Sequence, residues 1–544
     1  MSSTKQPTTQ PGAVTAPAKP YRGVLGVVVS VLSALGAGLI ASLFAVLLMV
    51  IFRLYAGISS PVELFGFFLL KHLDAGTFVH MQIVFQPNSK TGPLGLALLA
   101  MVVLGTLLGL LYALLAFVRL PVRGYRPRTR EWVVALAFAE AMTLVGAILF
   151  WNELPQNFLG LPLTWSIIVT IISLFVEFNL YGVVLCLAYR AFLPKERVAT
   201  TRSGVVAQRR RQLLARTGVA VLGLGAAGAN LGGLNTFLKR YSSYDGMKSP
   251  TVNGFTPPIT PNDLHYVVTQ NAVDPTPDIN LWRFEVTGLV GKSGSYTYDE
   301  LQKLPSTSRP ITLECISNSA QNHLISTAVW QGVSFKTLLE QHGGAQPQAQ
   351  YVVFYSSDGY NVTQPLKDVL DADSLLAWRM NGAELPVRHG YPLRALIPGH
   401  YGEENVKWLT RLELTDHFVG GLYSDQGWYN GPVHTISRID RPGGHVAVGH
   451  GAEIGGLAYA GTRGIQKVEV STDDGKSWHV ARLQPSISKD SWVMWSWEWT
   501  PLMAGTYTLR SRATDGTGAV QTSRDQGSVP HAATGYAKIT VQVG

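Results

Sequence analysis

Long apolar runs separated by short loops occupy the first 234 positions, and shorter alternating runs replace them afterwards. Residues 23–51 carry no charged side chain, which is longer than the about 20 residues needed to span hydrocarbon. Similar, almost uncharged runs at 93–118, 132–151 and 163–189 predict three more spanning helices. The stretch VELFGFFLLKHL at 62–73 is too short to cross and predicts an interfacial or re-entrant helix. A fifth apolar stretch, 213–234, is rich in Gly and Ala and follows Arg209, Arg210 and Arg211. Those arginines read either as a twin-arginine export signal set inside the chain or as a cytoplasmic anchor for a fifth helix.

From 262 to 437, β-like runs such as RFEVTGLV, PITLECI and QYVVFYS mix with helical ones such as DELQKL and SFKTLLEQH, which predicts an α+β domain. Past 438 the period becomes two. IQKVEVSTDDGKSWHVARL, WVMWSWEWTP, GTYTLRSRATDG and GYAKITVQV predict an antiparallel sandwich of immunoglobulin-like type. Trp492, Trp495, Trp497 and Trp499 are expected in its core and interfaces. The chain is therefore multi-domain: a flexible tail (1–22), an all-α transmembrane bundle (23–192), a basic segment with the fifth apolar helix (193–234), a linker (235–261), the α+β domain (262–437) and the sandwich (438–544).

Charge orients this plan. The chain has 544 residues and a net charge of +9. Residues 1–234 hold 19 Lys and Arg against 7 Asp and Glu, a net of +12; residues 235–544 hold 25 against 28, a net of −3. The positive excess thus belongs to the apolar half, which argues against a nucleic-acid partner. Arginines concentrate in the loop after the second span and in the segment after the fourth. Basic loops stay cytoplasmic, so the N-terminus is expected inside the cell membrane and residues 235–544 outside the cytoplasm. Glu140 and Glu177, placed within spans, are expected to be partnered or to face a cavity. None of the five spans contains a histidine, which argues against a bis-His haem. With only Cys186 and Cys315 present, disulfide frameworks, iron–sulfur clusters and CxxCH haem sites are excluded.

Candidate chemistry narrows to two segments. Cys315 is the one thiol outside the apolar half; an unpaired Cys on an apolar strand is commonly a small core residue, yet a thiolate is also a strong soft metal ligand. The run HGYPLRALIPGHYGEENVKW, with Arg394 and Lys407, reads as a phosphate-holding loop or as an ordinary loop with surface charges.

Together, TLECISN (312–318), STAVWQGVSFKTLLE (326–340), LLAWRMNGAELPVRHGYPLRALIPGHYGEENVKWLTRLEL (375–414) and SRID (437–440) resemble the sulfite oxidase family of molybdopterin enzymes. GLAYAGTRGIQKVEVSTDDGKSWHVARL resembles the family's C-terminal dimerisation domain. The likeness runs in order over about 280 residues from Ile259 onward. It implies a molybdenum-molybdopterin cofactor with Cys315 as the protein's metal ligand, and Asn271, Asp358, His389, Arg394 and Lys407 holding the pterin and its phosphate. It further implies oxygen-atom transfer with a two-electron change at the metal, a small-molecule substrate, an external electron carrier (a cytochrome or one linked to quinone) and a homodimer.

Three departures bear on substrate. Where sulfite oxidases have an Arg-Asn-His run, this chain has Gln270, Asn271 and Ala272. Their active-site Tyr falls on Trp428, and their second-domain Arg has no counterpart in WVMWSWEW. The expected enzyme is a membrane-anchored extracytoplasmic oxidoreductase acting on a small oxyanion or sulfur compound. The alternatives are an S-oxide or N-oxide reductase of the same family, or a non-enzymatic assembly protein with a degenerate domain.

Overall fold

The computed structural model describes residues 23–85, 91–196, 202–239 and 251–544. The tail expected over 1–22 and part of the expected linker, 240–250, lie outside the described residues.

Seven helices form the N-terminal half: α1 (Val24–Ala56), α2 (Pro61–Lys71), α3 (Ala75–Val84), α4 (Thr91–Ala116), α5 (Thr129–Leu149), α6 (Leu163–Phe192) and α7 (Arg202–Leu238). Five of them, all but α2 and α3, are long and apolar enough to cross a membrane. The short run expected over 62–73 forms α2, and a second short helix, α3, follows it. Ser60 starts α2 with a capping box: its hydroxyl accepts from Glu63 N–H, Glu63 reaches back to Ser60 N–H, and Pro61 occupies the first turn. Arg209, Arg210 and Arg211 and the fifth apolar stretch share one continuous helix, α7, so the three arginines sit inside a helix.

The bundle is packed through small residues. Ala34, Ala37, Ala41 and Ser42 of α1 are buried, while Leu99, Leu107 and Leu114 of α4, Ile148 of α5 and Ile172 of α6 point outward. That pattern suits helices whose outer solvent is lipid. Gly109 lets α4 approach closely: a Cβ there would lie 2.4 Å from Ala34 O on α1. The carboxyls within the long apolar helices have polar neighbours, as expected: Asn179 Nδ2 donates to Glu140 (3.1 Å) and Ser173 Oγ to Glu177 (2.9 Å).

One end of the bundle docks on the C-terminal half. Ala75 N–H donates to Gln426 O (3.1 Å), and Gln426 Nε2 donates to Leu70 O (2.8 Å). Asn157 N–H donates to Ser357 O (2.8 Å), and Thr276 and Asp278 N–H donate to Phe158 and Leu159 O. Phe78 of α3 is buried against Trp428 and Tyr423, with centroid distances of 5.9 and 6.3 Å. The arginine-rich loop after α4 is tied instead to the segment after α6, through Val122 N–H to Pro194 O and Glu196 N–H to Val122 O, at the other end of α5 and α6.

The next domain contains β1 (Phe284–Gly288), β2 (Gly294–Tyr296), β3 (Thr307–Glu314), β4 (Ile325–Ser334), β5 (Tyr351–Ser356), β6 (Asn361–Pro365), β7 (Leu375–Met380), β8 (Ala383–Glu384), β9 (Arg394–Leu396) and β10 (Leu409–Thr415). They make two sheets, β2-β1-β10-β5-β6 and β3-β4-β7-β8, with β9 added to β7. Only β1 and β10 pair in parallel. Short helices pack beside them, including Tyr298–Gln302, capped by Thr297, and Phe335–Gln341, capped by Ser334. This is the expected α+β mixture.

The last domain is a sandwich of two sheets. One is built from Ile436–Arg441, Ala452–Tyr459, Val493–Trp499 and Arg482–Leu483; the other from His445–Val446, Ala537–Val543, Gly505–Asp515, Ile465–Ser471 and His479–Val480. Ile454, Trp495 and Trp499 from the first meet Val468, Leu509 and Val541 from the second in a shared core. Trp492 is buried against the neighbouring domain, its Nε1 donating to Pro258 O at 3.0 Å.

Candidate cofactor site

Cys315 follows the last residue of β3, where Glu314 is still in register with Ile325 of β4. Its N–H donates to Leu324 O (2.9 Å), so the ladder geometry extends through it and fixes its side chain. The thiol is 7% exposed among Ile311, Leu313, Tyr266, Trp330 and Leu396, with Ser317 Oγ at 3.1 Å from Sγ. Burial, joined by the nearby carboxyls of Glu403 and Glu314, pushes the thiol up to about 12. Such a thiol is inert as a free nucleophile; a bound cation reverses that preference and holds it as thiolate.

Arg394 opens β9 and is 5% exposed. Its Nη1 donates to His389 O (3.2 Å) and its guanidinium lies 5.4 Å from the Trp330 ring centroid, but Nε has no hydrogen-bond partner among the described residues. No carboxylate lies within ion-pair distance of it among the described residues. Burial lowers it to about 10, so it stays charged at neutral pH. An uncompensated buried guanidinium is costly. A guanidinium in this state is able to receive an anion through charge-assisted hydrogen bonds.

His389 ends the short 3₁₀ turn Val387–His389, and its Nε2 donates to Asn262 O (2.9 Å). Burial, with Arg394, Lys407 and Arg388 nearby, lowers it to about 3 and keeps the ring neutral. The ring meets His265 edge to face at 5.1 Å, and His265 Nε2 has no partner among the described residues. Gly390 follows with φ 116°, and a Cβ there would lie 3.1 Å from Lys407 Cα and 3.3 Å from Arg394 Cβ. Glycine is what allows the segments that carry Arg394 and Lys407 to close on each other at this point. Lys407 Nζ donates to Val268 O (3.3 Å) and Arg388 O (3.4 Å) and stands 4.2 Å from the centroid of Trp408.

Asn271 and Asp358 meet directly: Asn271 Nδ2 donates to Asp358 Oδ2 at 2.5 Å, and Tyr360 N–H donates to Oδ1 at 3.1 Å. Burial raises the Asp358 carboxyl while Lys407 pulls the other way. Lys407 therefore acts on both Asp358 and His389, and Tyr266 feels both Cys315 and Arg394. All six residues singled out from the sequence gather in one region.

The residues fit a phosphate-bearing, hydrogen-bonding group beside a soft metal. The buried cation Arg394 and the orphan polar atoms Tyr266 Oη, His265 Nε2 and both amide atoms of Gln270 call for a polar, anionic occupant. Among the described residues no group of three or more His, Cys, Asp or Glu is arranged around a metal, so Cys315 suits a metal whose other donors come from a cofactor.

Reading along the sequence missed His265, Tyr266, His400, Glu403 and Glu404. His400, Glu403 and Glu404 lie in the run HGYPLRALIPGHYGEENVKW, and His265 and Tyr266 shortly precede Asn271, so proximity to the candidate residues was the available signal. Trp428 lies under Phe78 of the helical half, its Nε1 donating to Gln426 Oε1 at 3.0 Å. In the sandwich, Arg438 is buried near the Cys315 loop, donating to Asn322 O (3.1 Å) and paired with Asp440 (2.8 Å).

Comparison with known proteins agrees with this geometry. Residues 271–423 match the family model of the oxidoreductase molybdopterin binding domain, and residues 432–538 match that of the Mo-co oxidoreductase dimerisation domain. These are the two domains of molybdenum-dependent oxidoreductases, and they support placing the C-terminal half in the molybdopterin oxidoreductase family. Among individual proteins, the chain is 28% identical over 300 residues to inducible nitrate reductase [NADH] 1 of Glycine max, covering 44% of this chain and 34% of that one. It is 29% identical over 294 residues to the mitochondrial sulfite oxidase of Drosophila melanogaster, covering 44% and 50%. The chain thus spans between a third and a half of the length of these curated relatives. The sulfane dehydrogenase SoxCD from Paracoccus pantotrophus is a similar solved structure, with TM-score 0.48, 24% identity and coverage of 56% of this chain and 88% of that one.

Proposed function

We propose that this protein is a membrane-anchored, extracytoplasmic molybdopterin-dependent oxidoreductase that transfers an oxygen atom to or from a small oxyanion or sulfur compound. The carrying observation is the buried Arg394 guanidinium, which has no carboxylate partner among the described residues and lies, across Trp330 and Tyr266, from the buried Cys315 thiol. When bound, the cofactor supplies two-electron oxygen-atom exchange. The chain's own residues do the rest. Cys315 holds the metal. Arg394 and Lys407 take the phosphate, His389 offers a neutral ring fixed by Asn262 O, and Asn271 with Asp358 forms a hydrogen-bonding edge for the pterin. The sandwich serves as a homodimer contact, and an external carrier exchanges electrons. The five long apolar helices anchor the protein, and their arginine-rich loops on one end and docking loops on the other support an N-terminus inside and residues 235–544 outside.

The deciding experiment is metal and pterin analysis of the full chain made in a cofactor-producing host. Near one molybdenum and one pterin per chain, with the metal lost in a folded Cys315→Ser, is the expected result. A folded wild-type chain free of both would refute the reading. Protease applied to intact cells should cut within 251–544; complete protection would reverse the orientation.

A further inference from the structure

Resting on the reading of Asp358 as a pterin contact, we infer that the loop between α5 and α6 belongs to the cofactor cradle, with Gln156 and Asn157 as positioning residues that hold the Asp358 turn from the helical half. Asp358 sits in the tight turn 356–360, closed by Gly359 N–H to Ser356 O (3.1 Å) and Ser356 N–H to Tyr360 O (2.8 Å). Ser357 N–H donates to Trp408 O (3.0 Å), which ties the turn to the residue after Lys407. One further bond comes from the helical half: Asn157 N–H donates to Ser357 O at 2.8 Å. Beside it, Gln156 fills the space over Gly359. A Cβ at Gly359 would lie 2.3 Å from Gln156 Cγ and 2.5 Å from its Nε2, and φ there is +82°. Glycine permits both this backbone conformation and this approach. Gln156 and Asn157 are both buried.

The same loop grips the other arm of the Asn271–Asp358 pair. Phe158 O accepts from Thr276 N–H (3.1 Å) and Leu159 O from Asp278 N–H (3.0 Å), in the segment that follows Asn271. Gly160 lies against Trp282, where a Cβ would come within 2.6 Å of Cδ1. Residues 156–159 therefore touch both backbone segments whose side chains meet in the Asn271–Asp358 hydrogen bond. The loop is in turn held by the end of α1. Phe158 N–H donates to Gly57 O (2.7 Å), Ser59 Oγ donates to Gln156 Oε1 (3.2 Å), and the Arg53 guanidinium lies 3.4 Å from the Phe158 ring centroid. Within the loop, Leu159 N–H donates to Asn157 Oδ1 at 2.9 Å. A hydrogen-bonding edge is only as well placed as the backbone behind it. Here that backing comes from the helical half, which thus does more than anchor the chain.

The test uses the full chain in detergent and reads two quantities. The first is hydrogen exchange of the 358–360 amides in cofactor-free protein. The second is the rate of pterin release from the loaded chain well below its unfolding midpoint, followed by fluorescence of the oxidised pterin. Gln156→Ala is expected to speed exchange in the turn about tenfold and pterin release about threefold to tenfold. Gln156→Met, which keeps the bulk over Gly359, should hold both within about twofold of the parent. In an Asp358→Ala background, Gln156→Ala should change pterin release by less than about twofold, because both changes act through one contact. Gly109→Val, which disturbs the bundle away from this loop, should leave both readouts within about twofold. Unchanged exchange in a folded Gln156→Ala, equal effects of the Ala and Met variants, or full additivity with Asp358→Ala would overturn the inference. Gln156→Asn, one methylene shorter, supplies a milder variant with the same expected direction should Gln156→Ala misfold. A wild-type chain lacking molybdenum and pterin would count against the functional reading, while the exchange result would still decide whether Gln156 holds the turn.

Discussion

Arg190 of the helical half and Arg394 of the α+β domain are both buried, but the molecule treats these two charges oppositely. In the helical half Arg190 pairs with Glu131 at 3.2 Å with both side chains almost fully buried, Lys71 pairs with Glu153 at 3.3 Å, and Arg53 pairs with Glu63 at 2.8 Å. In the α+β domain Arg394 has no such partner among the described residues, and neither carboxyl oxygen of Glu403 has a side-chain hydrogen-bond partner among them. A compensated buried charge is architecture, since each partner offsets the other's desolvation. An uncompensated one in a rigid, well-packed fold persists when something outside the chain completes it, and that difference is what points to the cofactor site.

The comparison can be broken most forcefully on the helical side. Glu131→Gln should leave Arg190 buried and unpaired and lower the stability of the bundle by about 3–5 kcal/mol, measured as a fall in the denaturation midpoint in detergent. The opposite sign is expected at the site. Arg394→Met should leave the cofactor-free protein as stable as the parent or slightly more so, yet reduce pterin retention by about tenfold to a hundredfold, since a charge-assisted phosphate contact contributes about 1.5–3 kcal/mol. Loss of stability in the cofactor-free variant would mean that the guanidinium is structural after all.

A smaller effect tests the helix packing itself. Gly109→Val would drive a side chain into Ala34 O on α1, at a cost of about 1–3 kcal/mol, seen as a lower thermal midpoint with the C-terminal half still folded by limited proteolysis. The smallest effect concerns pH. His389 falls to about 3 in the folded chain, below its unfolded value near 6.5. The unfolded state therefore binds the proton first, and the cofactor-free protein should lose stability as pH drops from about 6.5 toward 3. His389→Gln should flatten part of that slope, and an identical slope in the variant would exclude the histidine as its source.

Legibility along the chain followed the length scale of the interaction. The apolar runs are local, and the observed helices coincide with them within a few residues at most ends. The strands at Phe284–Gly288, Thr307–Glu314 and Tyr351–Ser356 likewise fall where the alternating runs predicted. α3 was not foreseen as a separate helix, because AGTFVHMQIV has no strong amphipathic signal and its place is set by packing against Tyr423 and Trp428, about 350 positions away. The six candidate site residues were chosen through motif resemblance. Their surroundings were not legible: His265, Tyr266 and Glu403 have no motif of their own.

By itself, then, the sequence determined which stretches are apolar enough to cross a membrane, where the alternation of strands begins, and which thiol and cations are available, because each depends on composition and spacing over a few neighbours. Only the tertiary structure decided that α3 docks beside Trp428 and that Arg394 is buried without a carboxylate partner among the described residues. Burial and charge compensation depend on atoms brought together from distant parts of the chain, and no local pattern encodes them.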